Sequence, residues 1–307
     1  MLKSITNGLR RVFKNNEETE DENEGRFSEI INWADENNIG EDRIPRDAAE
    51  LMGLNRLDLS FRRLQTLPET LGELALLTEL DLRGNELQKL PDSIGNLTLL
   101  KRLDLKWNQL ETLPESFGNL TGLTKLELGY NKMATLPEVI AKFSHITELD
   151  LSDNRLLRVP LFIGNFTHLT KLNLARNKLE DLPEVCANLT KLTRLNLSSN
   201  ELKKLPDFIA NYRELGELEL YGNHLGTLPE YIGELRQLHR LDIGGNMLTA
   251  LPESLANLQN LSILDAHNNR LTSLPANFGS LSQLHRLSLA HNQLALLPPP
   301  GSAATET

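Results

Sequence analysis

A leucine-rich pattern returns every 23 residues along most of this chain and limits the folds open to it. The pattern reads L-x-x-L-x-L-x-x-N-x-L, and its first position is Leu54. The same position recurs without insertion at ten further sites: Leu77, Leu100, Leu123, Ile146, Leu169, Leu192, Leu215, Leu238, Leu261 and Leu284. Eleven copies therefore occupy residues 54–298, and a period of this length is typical of a stacked repeat architecture.

Each copy contains a short alternating segment that is predicted to form a β-strand. In the second copy Leu80 and Leu82 alternate with the polar residues Glu79, Asp81 and Arg83. Because successive side chains of a strand point to opposite faces, the leucines are expected inside and the polar residues outside. One copy cannot bury its apolar face alone, so neighbouring copies are expected to stack their strands into one parallel sheet.

An asparagine closes the pattern from the second copy onward, and its role is predicted to be structural. An asparagine amide can bond to backbone groups of a turn that is buried between repeats. An internal hydrogen-bonded ladder is therefore expected from ten residues: Asn85, Asn108, Asn131, Asn154, Asn177, Asn200, Asn223, Asn246, Asn269 and Asn292. A Leu-Pro pair then precedes a short helical stretch, in which proline can open the first turn.

The complete repeat pattern resembles that of the leucine-rich-repeat family. The stretch L-P-x-x-I-G-N-L, at residues 90–97, is similar to the 23-residue intracellular type found in Ras-group-related and bacterial leucine-rich-repeat proteins. The resemblance implies an α/β solenoid, or horseshoe, with a concave parallel β-sheet and short convex helices. It also implies that a protein partner binds the concave face without catalysis, and it identifies no partner.

The segments outside the repeats are predicted to be a cap and two tails. Residues 26–53 are expected to form a helical N-terminal cap, with an apolar helical face at Phe27, Ile30, Ile31 and Ala34. Residues 1–25 are expected to be a flexible tail, because residues 15–25 are acidic and contain no apolar side chain. Residues 1–14 are basic and amphipathic, which leaves open a frayed terminus or a targeting helix at a membrane surface.

Residues 299–307 are predicted to be a disordered C-terminal tail. They are small and polar and follow three consecutive prolines, with no amphipathic cap helix in the pattern. The last repeat is therefore expected to expose an apolar edge, formed by Leu287, Leu289 and Leu294. Weak self-association through this repeat is one expected consequence.

Composition argues against several classes of protein. The net charge of −10 disfavours nucleic-acid binding, and no apolar run is long enough to span a membrane. The one cysteine, Cys186, stands where other copies carry isoleucine, so a buried thiol and a reducing, cytoplasmic location are expected. Phosphate-binding glycine loops are lacking, and His267 and His291 have no obvious third metal ligand. A protein without catalysis, metal or cofactor is therefore predicted.

Two charged columns are expected to cross the concave face. The residue between the two inward leucines is acidic in most copies, as at Asp81 and Asp104. The residue two places earlier is mostly basic, with Glu79, Glu148 and Glu217 interposed every third copy. The columns either neutralise each other on a solvated surface or form a docking strip for a partner.

Aromatic residues at outward positions are the strongest candidates for a partner site. Phe61, Trp107 and Tyr130 occupy equivalent places in the first, third and fourth copies, whereas Gly84 in the second copy is expected to leave a gap. Tyr221 is a second candidate anchor, beside a stretch that two glycines, Gly244 and Gly245, are expected to leave bare. Aromatic and arginine side chains are typical of binding hot spots. The predicted partner-binding residues are Phe61, Arg83, Lys106, Trp107, Tyr130 and Tyr221.

The sequence thus predicts a non-catalytic protein–protein interaction scaffold. The alternative is a bacterial effector or signalling adaptor that acts inside a host cell and uses the N-terminal tail for export or membrane targeting. An enzyme is disfavoured because residues 1–53 and 299–307 are too short to add a catalytic domain.

Overall fold

The computed structural model describes residues 20–295 of the chain. Two α-helices come first, α1 at Glu20–Glu36 and α2 at Ala48–Met52. The strands that follow in the described range are β1 (Arg56–Asp58), β2 (Glu79–Asp81), β3 (Arg102–Asp104), β4 (Lys125–Glu127), β5 (Glu148–Asp150), β6 (Lys171–Asn173), β7 (Arg194–Asn196), β8 (Glu217–Glu219), β9 (Arg240–Asp242), β10 (Ile263–Asp265) and β11 (Arg286–Ser288). The 3-10 helices that alternate with them are Glu69–Glu73, Asp92–Asn96, Glu115–Asn119, Glu138–Lys142, Leu161–Asn165, Glu184–Asn188, Asp207–Asn211, Glu230–Glu234, Glu253–Asn257 and Phe278–Ser280.

Strands β1 to β11 pair in sequence order into one parallel, curved and unclosed sheet. The register places equivalent repeat positions side by side, so that Leu80 lies between Leu57 and Leu103. Leu80 and Leu82 are buried, whereas the side chain of Asp81 between them remains partly exposed. The predicted α/β solenoid with its concave sheet is confirmed, and the leucine columns form its continuous core.

The predicted asparagine ladder is present along the whole stack. In a central repeat, the Asn177 side-chain oxygen accepts a hydrogen bond of 3.0 Å from the backbone N–H of Leu156, in the preceding repeat. Its Nδ2 donates to the carbonyl oxygens of Leu151 at 3.0 Å and Leu174 at 3.1 Å. Each asparagine thus joins two repeats through backbone groups that water cannot reach. The first repeat has no such asparagine, and Arg63 in its turn adopts a left-handed φ of 59°.

The convex elements are 3-10 helices, and proline precedes them instead of occupying their first position. Pro91, for example, is the N-cap of the second 3-10 helix, with extended backbone angles of φ −64° and ψ 152°. The carbonyl oxygen of Pro91 accepts a hydrogen bond of 3.1 Å from the N–H of Ile94. A Cβ at Gly95 would overlap the backbone of Ser116 in the next repeat, so glycine permits the close stacking of these helices.

Helices α1 and α2 precede the repeats, and α1 extends into the segment that was expected to be flexible. Helix α1 begins at Glu20, whereas the cap was predicted to begin at residue 26. Its residues Phe27, Ile30 and Ala34 are fully buried against the first repeats. Asp47 is the N-cap of helix α2, because its carboxylate accepts a hydrogen bond from the N–H of Glu50. Residues 1–19, including the basic amphipathic segment, lie outside the described residues.

The last described repeat is less well covered than the central ones. Leu287, Leu289 and Leu294 are only partly buried against the core. Residues 296–307, which include the predicted tail at 299–307, lie outside the described range. Self-association through this repeat stays a prediction.

Candidate functional site

A left-handed turn follows every strand and carries the aromatic residues singled out above. The equivalent residue of each turn has a positive φ: Phe61, Gly84, Trp107, Tyr130, Asp153, Arg176, Ser199, Gly222, Gly245, Asn268 and His291. The aromatic residues therefore lie in the turns just beyond the strand ends. Left-handed backbone costs a non-glycine residue about 1–2 kcal/mol, and only glycine, asparagine and aspartate adopt it readily. Three bulky aromatic side chains at this position are thus not explained by the turn itself.

Phe61, Trp107 and Tyr130 form one continuous cluster, which we call the aromatic ridge. The ring centroids of Phe61 and Trp107 are 6.1 Å apart, and those of Trp107 and Tyr130 are 5.4 Å apart. These residues remain 63%, 45% and 38% exposed, respectively. The ring of Phe61 fills the space beside Gly84, where a Cβ would overlap it, so the expected gap next to Trp107 is absent. Gly84 instead allows ring contact across two repeats.

Arg83 lies at the edge of the aromatic ridge, as the sequence predicted. Its guanidinium carbon is 5.9 Å from the ring centroid of Phe61, and its Nε is 3.3 Å from the Asp81 carboxylate. The side chain is partly exposed. The Arg83 guanidinium thus lies between an aromatic ring and a carboxylate of the acidic column. Both groups attract a positive charge.

Lys106 points along the sheet into a carboxylate cluster. Its Nζ is 3.1 Å from a carboxylate oxygen of Glu127 and 3.0 Å from one of Asp150, in the two following strands. Most of the side chain is buried there. Lys106 therefore has partners within the chain that its sequence position did not reveal.

Asp104 and Glu127 lie side by side on β3 and β4, so that each affects the ionisation of the other. Burial, together with the hydrogen bond that it makes to Glu127, raises the pKa of Asp104 to about 7. Burial opposes ionisation of Glu127 as well, but hydrogen bonds from Lys125 and Asp104 lower its pKa to about 2. Below about pH 7 the Asp104 carboxyl is therefore neutral and donates to the Glu127 carboxylate.

The second charged column is internally balanced. Glu79 lies between Arg56, at 3.7 Å, and Arg102, at 3.4 Å. Glu148 likewise lies between Lys125, at 3.6 Å, and Lys171, at 2.7 Å. The glutamates that recur every third repeat thus separate basic residues that would otherwise repel one another. This arrangement favours the solvated, self-neutralising interpretation of the column.

Tyr221 belongs to a separate cluster toward the C-terminal end. Its ring stacks on that of His267 with a centroid distance of 5.6 Å and an interplanar angle of 22°. The expectation that Gly244 leaves this stretch bare is wrong, because a Cβ there would lie 2.7 Å from the His267 ring and 3.3 Å from the Tyr221 ring. The two rings cover the glycine. Tyr221 is four repeats away from Tyr130, so the structure does not bring it to the aromatic ridge.

Three features of the described residues bear on catalysis, metal binding and membrane insertion: the thiol, the possible metal ligands and the apolar character of the helices. The thiol of Cys186 is buried, and burial raises its pKa to about 12, so it is protonated and inert at neutral pH. Between residues 20 and 295, no group of three or more histidine, cysteine, aspartate and glutamate side chains could hold a metal ion. In the same range, no helix is both long and apolar enough to cross a bilayer.

Three leucines are exposed although the sequence did not indicate it: Leu99, Leu157 and Leu161. Leu157 and Leu161 are 62% and 69% exposed. The place of Leu161 is acidic in most other repeats: Glu69, Asp92, Glu115, Glu138, Glu184, Asp207, Glu230 and Glu253. Such a carboxylate can cap the next 3-10 helix, as Glu69 does by accepting a hydrogen bond of 2.9 Å from the N–H of Ser93. The leucine at position 161, where most other repeats carry an acidic residue, was therefore the sequence signal that could have identified this site.

We expect Leu161→Glu to raise the free energy of unfolding by about 0.5 kcal/mol, because it restores a carboxylate at the start of the next 3-10 helix. Urea unfolding followed by circular dichroism measures the change. Leu157→Glu is the matched control, since it also removes an exposed leucine but lies outside the capping column. A gain of equal size in both variants would contradict the capping explanation.

Family models match most of the repeat region. A model described as "Leucine-rich repeat region" matches residues 40–151 and 207–297, and two further leucine-rich-repeat models match residues 167–225 and 144–186. The chain belongs to the leucine-rich-repeat family. Leucine-rich-repeat proteins commonly act as protein-interaction scaffolds, and their repeats are typically non-catalytic. No curated protein sequence matches this leucine-rich-repeat chain significantly.

Several solved leucine-rich-repeat structures are similar to this one. A leucine-rich-repeat protein of Leptospira interrogans is 29% identical over 83% of each chain, with a TM-score of 0.66. The Arabidopsis receptor kinase HAESA, solved in complex with a peptide hormone and a co-receptor, is 31% identical over 80% of this chain and 42% of its own, with a TM-score of 0.70. An internalin of Listeria monocytogenes shares the fold at 24% identity, over 80% of this chain and 76% of its own, with a TM-score of 0.72.

Proposed function

We propose that this leucine-rich-repeat protein is a non-catalytic scaffold that binds a protein partner through the N-terminal part of its concave side. The observation that carries the proposal is the aromatic ridge. Trp107 contacts both Phe61 and Tyr130, and the three rings, in the first, third and fourth turns, remain exposed although the left-handed backbone disfavours each of them. Strain that the fold itself does not require is often found where a protein binds another molecule.

The composition of the ridge suits a protein interface. Large aromatic rings lose little conformational entropy on binding and bury much apolar area, so they recur among the residues that contribute most to binding. Arg83 adds a guanidinium at the edge of the ridge, and Lys106 holds the carboxylates beneath it. Tyr221 is proposed as a separate anchor for a partner long enough to reach repeat 8. A similar receptor kinase was solved in complex with a peptide hormone, which supports the proposal of a polypeptide ligand.

We further propose that the protein works in a reducing, cytoplasmic compartment. The support is Cys186, whose thiol is buried within the repeat core and is positioned for packing. A buried thiol in this slot replaces the isoleucine of other repeats without needing a disulfide partner.

A comparison of three proteins tests the proposed function. The immobilised wild type, a variant with Phe61→Gly, Trp107→Gly and Tyr130→Gly, and an Arg176→Gly control are used to capture proteins from extract. Each captured protein is then purified, and its affinity is measured. We expect at least one partner that binds the wild type and the control but loses at least about 30-fold in affinity for the triple variant.

The control residue occupies the same left-handed turn position as the three ridge residues. Arg176 is also exposed and left-handed, so its replacement relieves the same backbone strain outside the ridge. Thermal unfolding of all three proteins checks that each remains folded. If every purified partner binds the triple variant as tightly as the wild type, the proposed site is wrong.

A further inference from the structure

The protein itself shows how a cation fits at the aromatic ridge. Arg83 is held between the ring of Phe61, 5.9 Å from its guanidinium carbon, and the carboxylate of Asp81, 3.3 Å from its Nε. An aromatic face and a carboxylate both attract a positive charge, and together they favour it more than either group alone. This pair supplies a reference for the neighbouring repeat, where the same two kinds of group occur.

Asp104 is the next carboxyl group along the acidic column, and its surroundings differ from those of its neighbours. Asp58 pairs with Arg43 at 2.8 Å, Asp81 pairs with Arg83, and Glu127 pairs with Lys106. Among residues 20–295, Asp104 forms no ion pair with a basic side chain. It instead donates a hydrogen bond to Glu127, which requires that it keep its proton.

The absence of that ion pair has a local cause. Arg102 and Lys106 are the basic residues nearest to Asp104 along the chain. Arg102 pairs with Glu79 at 3.4 Å, and Lys106 extends to Glu127 and Asp150 in the following repeats. Gly129, at the equivalent place in the next repeat, has no side chain, and a Cβ there would lie 3.1 Å from a carboxylate oxygen of Asp150. Glycine thus leaves room for Lys106 to reach forward, and Asp104 is left without a cation.

A depression in the sheet lies over this carboxyl group. Its volume is about 120 Å³, and its lining includes Asp81, Asp104 and Glu127 from three adjacent strands. Arg102 and Lys125 border it on the side of the basic column. Trp107 follows Asp104 by three residues and stands at the turn end of the same strand. When a partner packs on the aromatic ridge, the depression could hold the end of one of its side chains.

We infer that the partner is a polypeptide segment that places an arginine or lysine side chain against Asp104 while its neighbouring residues pack on the aromatic ridge. The inference rests on the proposed function and adds the charge of the contacting residue. The incoming cation would pair with the Asp104 carboxylate as Arg83 pairs with that of Asp81. The ring of Trp107 would lie against the cation as the ring of Phe61 lies against Arg83.

Proton release accompanies this binding. The partner's cation favours ionised Asp104, whereas the free protein keeps that group protonated below about pH 7. Affinity should therefore rise with pH, by up to about tenfold between pH 6 and pH 8. The charged groups around Asp104 on β2, β3, β4 and the turns that follow β2 and β3 are Asp81, Arg83, Arg102, Lys106, Lys125 and Glu127.

Peptide selection tests the inference directly. A displayed library of random histidine-free dodecapeptides is selected on the wild type after depletion on the triple glycine variant of the ridge. Selected peptides are synthesised with each arginine replaced by citrulline and each lysine by norleucine. We expect the peptides to need one basic residue, to lose about tenfold in affinity for Asp104→Asn, and to lose their pH dependence with that variant.

Asparagine is a tolerated replacement in this column, because Asn173 and Asn196 already occupy it in β6 and β7. Asp242→Asn is the matched control, since Asp242 stands in the same column on β9, away from the ridge. We expect it to leave peptide affinity unchanged.

The possible results separate the two proposals. Ridge-dependent peptides that need no basic residue, or that bind Asp104→Asn as tightly as the wild type, overturn the inference and leave the proposed function standing. A library that yields no ridge-dependent peptide overturns both.

Discussion

Asn177→Ala is expected to lower the free energy of unfolding by about 3 kcal/mol, the largest stability change we predict for a single substitution. The Asn177 side-chain amide accepts one hydrogen bond from a backbone N–H and donates to three backbone carbonyl oxygens, those of Leu151, Leu174 and Ala175. Alanine leaves the buried N–H of Leu156 without a partner, which costs about 1–3 kcal/mol. It also removes hydrogen bonds to the carbonyls of Leu151 and Leu174, which keep only those from Asn154 and Asn200. The effect should spread along the stack, because each repeat is stabilised mainly by its neighbours.

Asn173→Ala provides the comparison in the same repeat. Asn173 is partly exposed on the concave face, where its side-chain oxygen accepts only a local hydrogen bond from the N–H of Ala175. Its replacement should cost less than about 1 kcal/mol. Urea unfolding followed by circular dichroism measures both variants. Equal losses would show that the ladder contributes no more than an exposed turn does.

The sheet and its register were predictable because one period specifies both. A spacing of 23 residues with no insertion forces equivalent leucines into columns, as at Leu57, Leu80 and Leu103. The role of Asn177 followed for the same reason, since a buried turn repeated many times needs a repeated hydrogen-bonding group. These features depend on local pattern and strict repetition, which a single sequence displays directly.

The side-chain arrangement of the site was less predictable. The spaces beside Gly84 and Gly244 were expected to be open, but long side chains from neighbouring repeats fill them. Lys106 was expected to face a partner, yet two carboxylates in later repeats hold it. Rotamers of long side chains depend on neighbours 23 or more residues away, and a column of residue types does not specify them. The α1 boundary at Glu20 was missed because acidic composition alone was taken to indicate a flexible segment.

Trp107→Gly is expected to weaken partner binding by at least about 30-fold while it changes the free energy of unfolding by less than about 1 kcal/mol. The small stability change results from opposing contributions. Glycine relieves a left-handed φ of 53°, a gain of about 1–2 kcal/mol. Loss of ring contacts with Phe61 and Tyr130 costs about 0.5–1.5 kcal/mol, and the added freedom of the unfolded chain costs about 0.5–1 kcal/mol.

The repeats themselves show that the turn accepts this change, because Gly84, Gly222 and Gly245 already occupy the same position with φ values of 68°, 67° and 61°. Isothermal titration with a partner and urea unfolding separate the two effects. If Trp107→Gly lowered stability by more than about 2 kcal/mol, the ring would be part of the structural core, and the argument from exposure would fail. A loss of binding without a loss of stability would assign the Trp107 ring to partner binding. The fold does not need this side chain, and its backbone conformation disfavours it. Its contribution to free energy would therefore come only when a partner surface covers the ring.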